Sequence, residues 1–220
     1  MRVCFVAEKD VRAFADTLDI DDEADLILFG FNGVGEVSYE RELKGQTKYF
    51  EDIALLSKKA KNIVVCGCVT DTHGHKRKSA VVAENGKLLG VSDRMNGIDG
   101  DFGSGALVRV YETKIGRMGV VVAEDLYFFD IFKTLVLCGS DFIVCPFSCA
   151  DSVEECIVRA VAYCYGVPVF FCAQKRCMIA DISGELAFEG AQSPIVTQFT
   201  AKKEYHLVET RWRGLYKPKK

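Results

Sequence analysis

The sequence predicts an α/β fold in which two β-sheets pack face to face and each carries helices on its outer side. Several segments are apolar throughout, which is typical of strands that are covered on both faces. Strand-like segments outnumber helix-like ones, and two strand pairs flank short turns at Asn85-Gly86 and Ser183-Gly184. A single flavodoxin-like or Rossmann-like sheet is the structural alternative, but it leaves both hairpins without a natural place.

Composition places the chain among globular proteins with a large core. Its 220 residues are 49% hydrophobic and contain no repeat or linker, so we expect one domain over residues 1–220. The net charge of −3 does not suggest a nucleic-acid partner. No segment approaches the roughly 20 apolar residues of a membrane helix, and the first apolar run is too short for a signal peptide. We therefore expect no membrane partner and a cytoplasmic location.

The ten cysteines are expected to be free thiols. Most lie inside apolar runs, as Cys4 and Cys172 do, where cysteine packs as a small hydrophobic residue. A disulfide framework is the alternative for an even count. His73 and His75 lie in a polar loop without companion ligands, and no pair of CxxC motifs exists. We expect no metal and no cofactor.

The first third of the chain is expected to contain apolar strands and two helices. The expected strands are residues 2–7, 25–29 and 62–69, and the helices lie within 10–18 and over about 47–60. The second helix carries one apolar stripe at helical spacing, formed by Tyr49, Ile53, Leu56 and Ala60. The glycine-rich loop at residues 30–35 does not match a phosphate-binding pattern.

Two hairpins are expected in the middle of the chain, after a polar loop over residues 70–78. The first joins residues 79–83 to 87–92 through Asn85-Gly86, which favours a type I′ turn because both central residues need a positive φ. The second joins residues 107–112 to 117–122.

The stretch after the second hairpin joins an apolar strand directly to an amphipathic helix. A strand end that meets a helix start is where α/β folds place chemistry, so Glu124 and Asp125 become candidate site residues. One face of the expected helix consists of Phe128, Ile131, Phe132, Leu135 and Cys138.

The remaining chain is expected to be rich in strands. These cover residues 141–145, 167–173, 176–182, 185–188, 195–199 and 204–208. Ser152 and Glu155 have capping-box spacing and predict a helix start. The apolar face of that helix is expected to consist of Val153, Ile157, Ala160, Val161 and Cys164.

The order of these segments resembles the nitrilase superfamily of carbon–nitrogen hydrolases over nearly the whole chain. Residues 24–29 look like the strand that leads to that family's glutamate, and residues 116–125 look like the stretch that carries its nucleophilic cysteine. Residues 63–67, the Asn85-Gly86 hairpin and residues 92–95 look like the strands that lead to its lysine. Residues 139–146 and 159–163 are similar to two further segments of the family.

This resemblance implies a four-layer α-β-β-α sandwich that usually dimerises through the helices after the cysteine strand. It also implies hydrolysis of an amide, nitrile or carbamoyl C–N bond. A cysteine thiolate attacks the carbon, a glutamate takes and returns protons, and a lysine stabilises the oxyanion.

Each triad position of the family carries a different residue here. Phe31 stands at the glutamate position, Arg94 at the lysine position and Ala123 at the cysteine position. Alanine has no nucleophile and phenylalanine cannot accept a proton, while arginine keeps the charge with a different geometry. The leading expectation is a catalytically degenerate protein with a binding, regulatory or scaffolding role.

Four residues are expected to bind a small amide-, nitrile- or carboxylate-like ligand: Arg94, Glu124, Asp125 and Cys149. Glu124 is expected to pair with Arg94 across the vacated site. Asp125 is expected to cap or orient the following helix, where a carboxylate favours the helix dipole.

Two alternatives stay open. One is an active amidohydrolase with relocated residues, in which Cys149 is the nucleophile and Glu124 or Asp125 the base. The other is an interaction protein that forms a homodimer through an aromatic helical face made of Phe128, Phe129, Phe132 and Tyr163.

Overall fold

The computed structural model describes residues 1–17, 24–98 and 100–201. Its strands are β1 (Arg2–Val6), β2 (Leu26–Phe29), β3 (Glu36–Ser38), β4 (Ile63–Thr72), β5 (His75–Glu84), β6 (Lys87–Asp93), β7 (Val110–Thr113), β8 (Gly116–Val120), β9 (Phe142–Cys149), β10 (Val169–Gln174), β11 (Arg176–Ala180), β12 (Leu186–Gly190) and β13 (Ile195–Gln198). Its helices are α1 (Val11–Thr17), α2 (Tyr39–Leu43), α3 (Tyr49–Lys59), α4 (Phe129–Leu137) and α5 (Ser152–Tyr165), with a 3-10 turn at Ala123–Tyr127.

These strands form two mixed sheets. The first has the order β13-β1-β2-β4-β5-β6, with β3 also paired to β4, and the second has the order β12-β11-β10-β9-β8-β7. Each sheet has a parallel centre, β1-β2-β4 in one and β8-β9-β10 in the other. Antiparallel hairpins extend both sheets, and two sheets exclude the single-sheet alternative.

Three apolar clusters define four layers. The central cluster lies between the sheets and includes Phe5 and Leu28 of one sheet and Phe170 of the other. A second cluster packs α1 and α3 on the first sheet, and a third packs α4 and α5 on the second. Because side chains alternate along a strand, a strand with both faces covered must be apolar throughout. This confirms the predicted α-β-β-α sandwich.

The expected polar loop at residues 70–78 is wrong, because β4 and β5 continue through it. Thr70 pairs with Arg77, and the turn consists of His73 and Gly74, both with positive φ. His73 and His75 are exposed there. This end of the hairpin extends beyond the apolar core, so its polar side chains carry no apolar alternation that marks a strand.

Several smaller expectations also differ. The segment 36–43 contains β3 and α2, which the sequence did not predict, and β9 continues past Pro146 to Cys149. The second hairpin begins at Val110 rather than at residue 107. The strand expected at residues 204–208 lies outside the described residues.

The apolar face predicted for α5 points outward in large part. Val153, Ala160 and Cys164 are exposed, whereas the face toward the sheet consists of Glu154, Val158, Val161 and Ala162. The capping box is formed by Asp151 and Glu154, one residue before the predicted pair. A buried glutamate in the inward stripe made the outward stripe look more apolar.

All ten cysteines are free thiols, as expected. Within the described ranges, no helix is long and apolar enough to cross a membrane.

Candidate functional site

The chain makes a sharp turn at Ala123, three residues after β8. Ala123 has φ +50° and is 1% exposed. A left-handed conformation is uncommon for a residue with a Cβ and costs about 1 kcal/mol. The predicted direct entry into a helix is wrong, since a 3-10 turn follows and α4 starts only at Phe129. Ala123 therefore holds a strained position without a reactive side chain.

Glu124 lies between two cations beside this turn. Arg94 Nη1 donates to its Oε2 at 2.7 Å, and Lys78 Nζ donates to its Oε1 at 2.5 Å. Arg94 is completely buried, and the Lys78 and Glu124 side chains are 16% and 20% exposed. Burial raises the pKa of Glu124, but the hydrogen bonds from Lys78 and Arg94 outweigh it and leave the pKa below 4.5. The predicted pairing of Arg94 with Glu124 is present.

Two aromatic rings accompany these cations. The Phe102 ring centroid lies 5.3 Å from Lys78 Nζ and 5.8 Å from Arg94 Cζ. The Phe31 ring lies 6.0 Å from Lys78 Nζ. A cation near a ring face at such distances is attracted by the quadrupole of the ring. The rings and the cations together form the ion-pair cluster, defined as Phe31, Lys78, Arg94, Phe102 and Glu124.

Sequence reasoning missed Lys78, because it fell in the supposed loop. Ala80 and Val82 on β5 belong to the cluster between the sheets. Side chains two residues apart share one face of a strand, so Lys78 follows the same inward register. That alternation was the available signal.

Phe31, which the sequence resemblance sets at the family's glutamate position, is a buried aromatic residue. It is 7% exposed, and its backbone N–H donates to the Phe147 carbonyl of the other sheet at 2.9 Å. A Cβ on Gly67 would lie 2.5 Å from the Phe31 Cα, so the close approach of the two segments requires glycine there. Phe31 is thus wedged between the sheets.

Asp125 holds the loop that follows Arg94. It accepts hydrogen bonds from the backbone N–H of Met95 at 2.7 Å and of Asn96 at 2.9 Å, and from Asn96 Nδ2 at 3.0 Å. The expectation that Asp125 caps the next helix is wrong, because the N-cap of α4 is Phe128. Burial raises the pKa of Asp125 despite these hydrogen bonds.

Cys149 is the exposed last residue of β9 and lies in register with Gln174 of β10.

Both carboxylate oxygens of Glu124 are engaged by Lys78 and Arg94. A carboxylate stabilised in its charged form is a weak general base. The structure therefore brings together Arg94, Glu124 and Lys78, with Asp125 as a support.

Comparison with known proteins defines the fold. No protein-family model and no curated protein sequence matches the chain significantly. An amidase from Nesterenkonia sp. AN1 is 16% identical, with a TM-score of 0.75 over 98% of both chains. A carbon-nitrogen hydrolase from Helicobacter pylori is 16% identical, with a TM-score of 0.73 over 89% of this chain and 86% of that one.

Two further structures of the Nesterenkonia amidase carry ligands. A cysteine-to-alanine variant in complex with butyramide has a TM-score of 0.72 at 16% identity and covers 89% of this chain and 88% of that one. Another shows the result of Michael addition of acrylamide at the active-site cysteine of that amidase. The chain has the carbon–nitrogen hydrolase fold of the nitrilase superfamily.

Proposed function

We propose that this protein is a catalytically degenerate protein of the carbon–nitrogen hydrolase fold that acts by binding rather than by hydrolysis. The observation that carries the proposal is Ala123 at the strained turn where the resemblance expects a cysteine. A thioester cannot form on a methyl group. No proton acceptor replaces the family's glutamate at Phe31, so two parts of the reaction are missing together.

The donor groups of the ion-pair cluster suit a carboxylate or the oxygen of an amide as ligand. The Lys78 side chain is 16% exposed, and its ammonium group donates hydrogen bonds that such an oxygen accepts. Lys78 and Glu124 are the charged members with exposed surface, so a small ligand would meet them first. Arg94 would act from behind them by orienting Glu124.

The outer face of α4 and α5 supports a homodimer as the assembled form. Phe129, Leu137, Val153 and Tyr163 are 50%, 54%, 57% and 44% exposed there. Large exposed apolar side chains on adjacent helices are typical of a protein interface. Phe132, which the sequence placed on this face, is not part of it, because its side chain is fully buried in the core. The free thiols fit a reducing, cytoplasmic environment.

The proposal is tested by assaying the purified protein with butyramide and acrylamide. We expect ammonia release at the rate of buffer alone. We also expect butyrate and butyramide to shift amide NMR signals near Lys78 and Glu124, and Lys78→Gln to weaken those shifts more than the surface change Lys87→Gln. Enzymic turnover would overturn the proposal. The absence of any NMR shift would show that the protein does not bind butyrate or butyramide.

The amidohydrolase with relocated residues is the second candidate, and the exposed thiol of Cys149 is the observation that favours it. If Cys149 attacks a substrate, iodoacetamide at that residue and Cys149→Ser both abolish amide hydrolysis. The matched change Cys156→Ser, at another exposed thiol, leaves that hydrolysis intact. Loss of activity in both variants would point to misfolding instead.

A further inference from the structure

Two thiols face each other across the hairpin β10–β11, outside the ion-pair cluster. Cys172 and Cys177 are directly opposite in the strand register, and their Sγ atoms lie 3.6 Å apart. They are 0% and 1% exposed and belong to the cluster between the sheets. The function proposed above makes no use of this pair.

The hairpin geometry suits a covalent bond between them. The strands close at Ala173 and Arg176 around a two-residue turn, in which Lys175 has φ +60°. The pair next to such a closing pair is a non-hydrogen-bonded one, with Cα atoms about 4.5 Å apart. Disulfides join Cα atoms about 4.4–6.8 Å apart, so the bond needs an approach of the sulfur atoms by about 1.5 Å and no change of register.

The two thiols also have different acidities. A hydrogen bond from Cys172 lowers the pKa of the Cys177 thiol, against the effect of its burial. Burial raises the pKa of Cys172 well above its ordinary value, and the interaction with Cys177 raises it further. Cys177 is therefore the thiol that ionises first, and Cys172 is the one that keeps its proton.

We propose that Cys172 and Cys177 form a redox-active dithiol that a peroxide oxidises to a disulfide. The Cys177 thiolate attacks one oxygen of hydrogen peroxide, the O–O bond breaks, and the departing hydroxide takes a proton to become water. The resulting sulfenic acid is attacked by the Cys172 sulfur, and its hydroxyl leaves with the Cys172 proton as a second water. Two thiols and one peroxide thus yield one disulfide and two waters.

Such a bond would be reversible in a reducing compartment. Disulfides in cytosolic proteins are usually transient and redox-sensing. A thiol reductant returns two electrons to the sulfur pair and restores both thiols. Cys145 is a matched comparison, because it is equally buried but faces Phe171 in the strand register instead of a cysteine.

The experiment treats the folded chain with hydrogen peroxide and then alkylates it in denaturant. Reduced protein has ten thiols to alkylate, and the oxidised protein is expected to have eight, ten minus the two joined. Trypsin cleaves after Lys175 and Arg176, so the two cysteines separate into different peptides unless a disulfide links them. A Cys164→Ser background removes the other cysteine from the Cys172 peptide.

We expect linked peptides that dithiothreitol separates, and no link in Cys172→Ser or Cys177→Ser. Cys145→Ser is expected to keep the link. The proposal is overturned if all ten thiols stay alkylatable, if other cysteines pair instead, or if the link forms only in denaturant. Should the serine variants fail to fold, mapping in the Cys164→Ser background still decides between these outcomes.

Discussion

Arg94 and Glu124 form an ion pair of 2.7 Å immediately after the turn at Ala123. Lys78 holds the second oxygen of the same carboxylate. In the folded chain Glu124 is thus paired with both Arg94 and Lys78. The same three residues connect β5, the end of β6 and the 3-10 turn, so they link the two sheets as well.

Glu124→Gln is expected to destabilise the protein by about 3 kcal/mol, because the fully buried Arg94 loses the negative charge of a carboxylate with which it is paired. Urea unfolding measures the effect. Glu112→Gln is the matched control, since the Glu112 side chain is 76% exposed in its pair with Arg117 and such pairs contribute about 0–1 kcal/mol. Equal effects of the two changes would contradict the importance of the buried pair.

The stability difference between the wild type and Glu124→Gln is expected to depend on pH. The pKa of Glu124 in the folded state lies below its ordinary value of 4.5. The folded state therefore binds this proton more weakly than the unfolded state does. The contribution of the carboxylate is therefore full above pH 4.5 and is lost as the pH falls through the folded pKa. Unfolding both proteins at pH 7 and at pH 3 checks this. A difference that grows in acid would contradict the sign.

Gly67→Ala is expected to destabilise the fold by about 2–3 kcal/mol, because its Cβ would lie 2.5 Å from the Phe31 Cα. The clash is with backbone, so a change of rotamer cannot relieve it. Gly100→Ala is the control, since a Cβ there meets no atom of the described residues within 4 Å. Thermal unfolding of both variants measures the difference. An equally small change of the unfolding temperature in both would contradict the close approach of Gly67 to Phe31.

Ala123→Cys is expected to add an eleventh thiol without creating an amidase. Phe31 supplies no base, and both oxygens of Glu124 are held by cations. Alkylation in denaturant counts the thiols, and ammonia release from butyramide measures activity. Turnover by this single variant would show that a working base is already present in the site.

Phe129→Asp is expected to convert a homodimer into a folded monomer, because Phe129 is 50% exposed on the proposed interface. Leu55→Asp is the control, since Leu55 is 53% exposed on α3, which covers the other sheet. Sedimentation measures the mass and circular dichroism the fold. A wild type that sediments as a monomer would end the dimer proposal.

Local patterns carried much of the fold prediction. The Asn85-Gly86 turn appears with positive φ at both residues, and the predicted stripe of α3 buries Ile53 and Leu56. Both depend on neighbours within a few residues, where backbone sterics and helical periodicity decide the outcome. The polar hairpin end around His73 was misread because a strand beyond the core has no apolar alternation.

For the candidate site, too, the sequence determined one part and the tertiary structure the other. The sequence by itself determined that Phe31 has no proton acceptor and Ala123 no nucleophile in its side chain, because chemical identity needs no coordinates. Tertiary structure decided that Lys78 reaches Glu124 across 46 positions of the chain and that Asp125 holds the loop after Arg94. These contacts arise only when the two sheets pack, which no local pattern encodes.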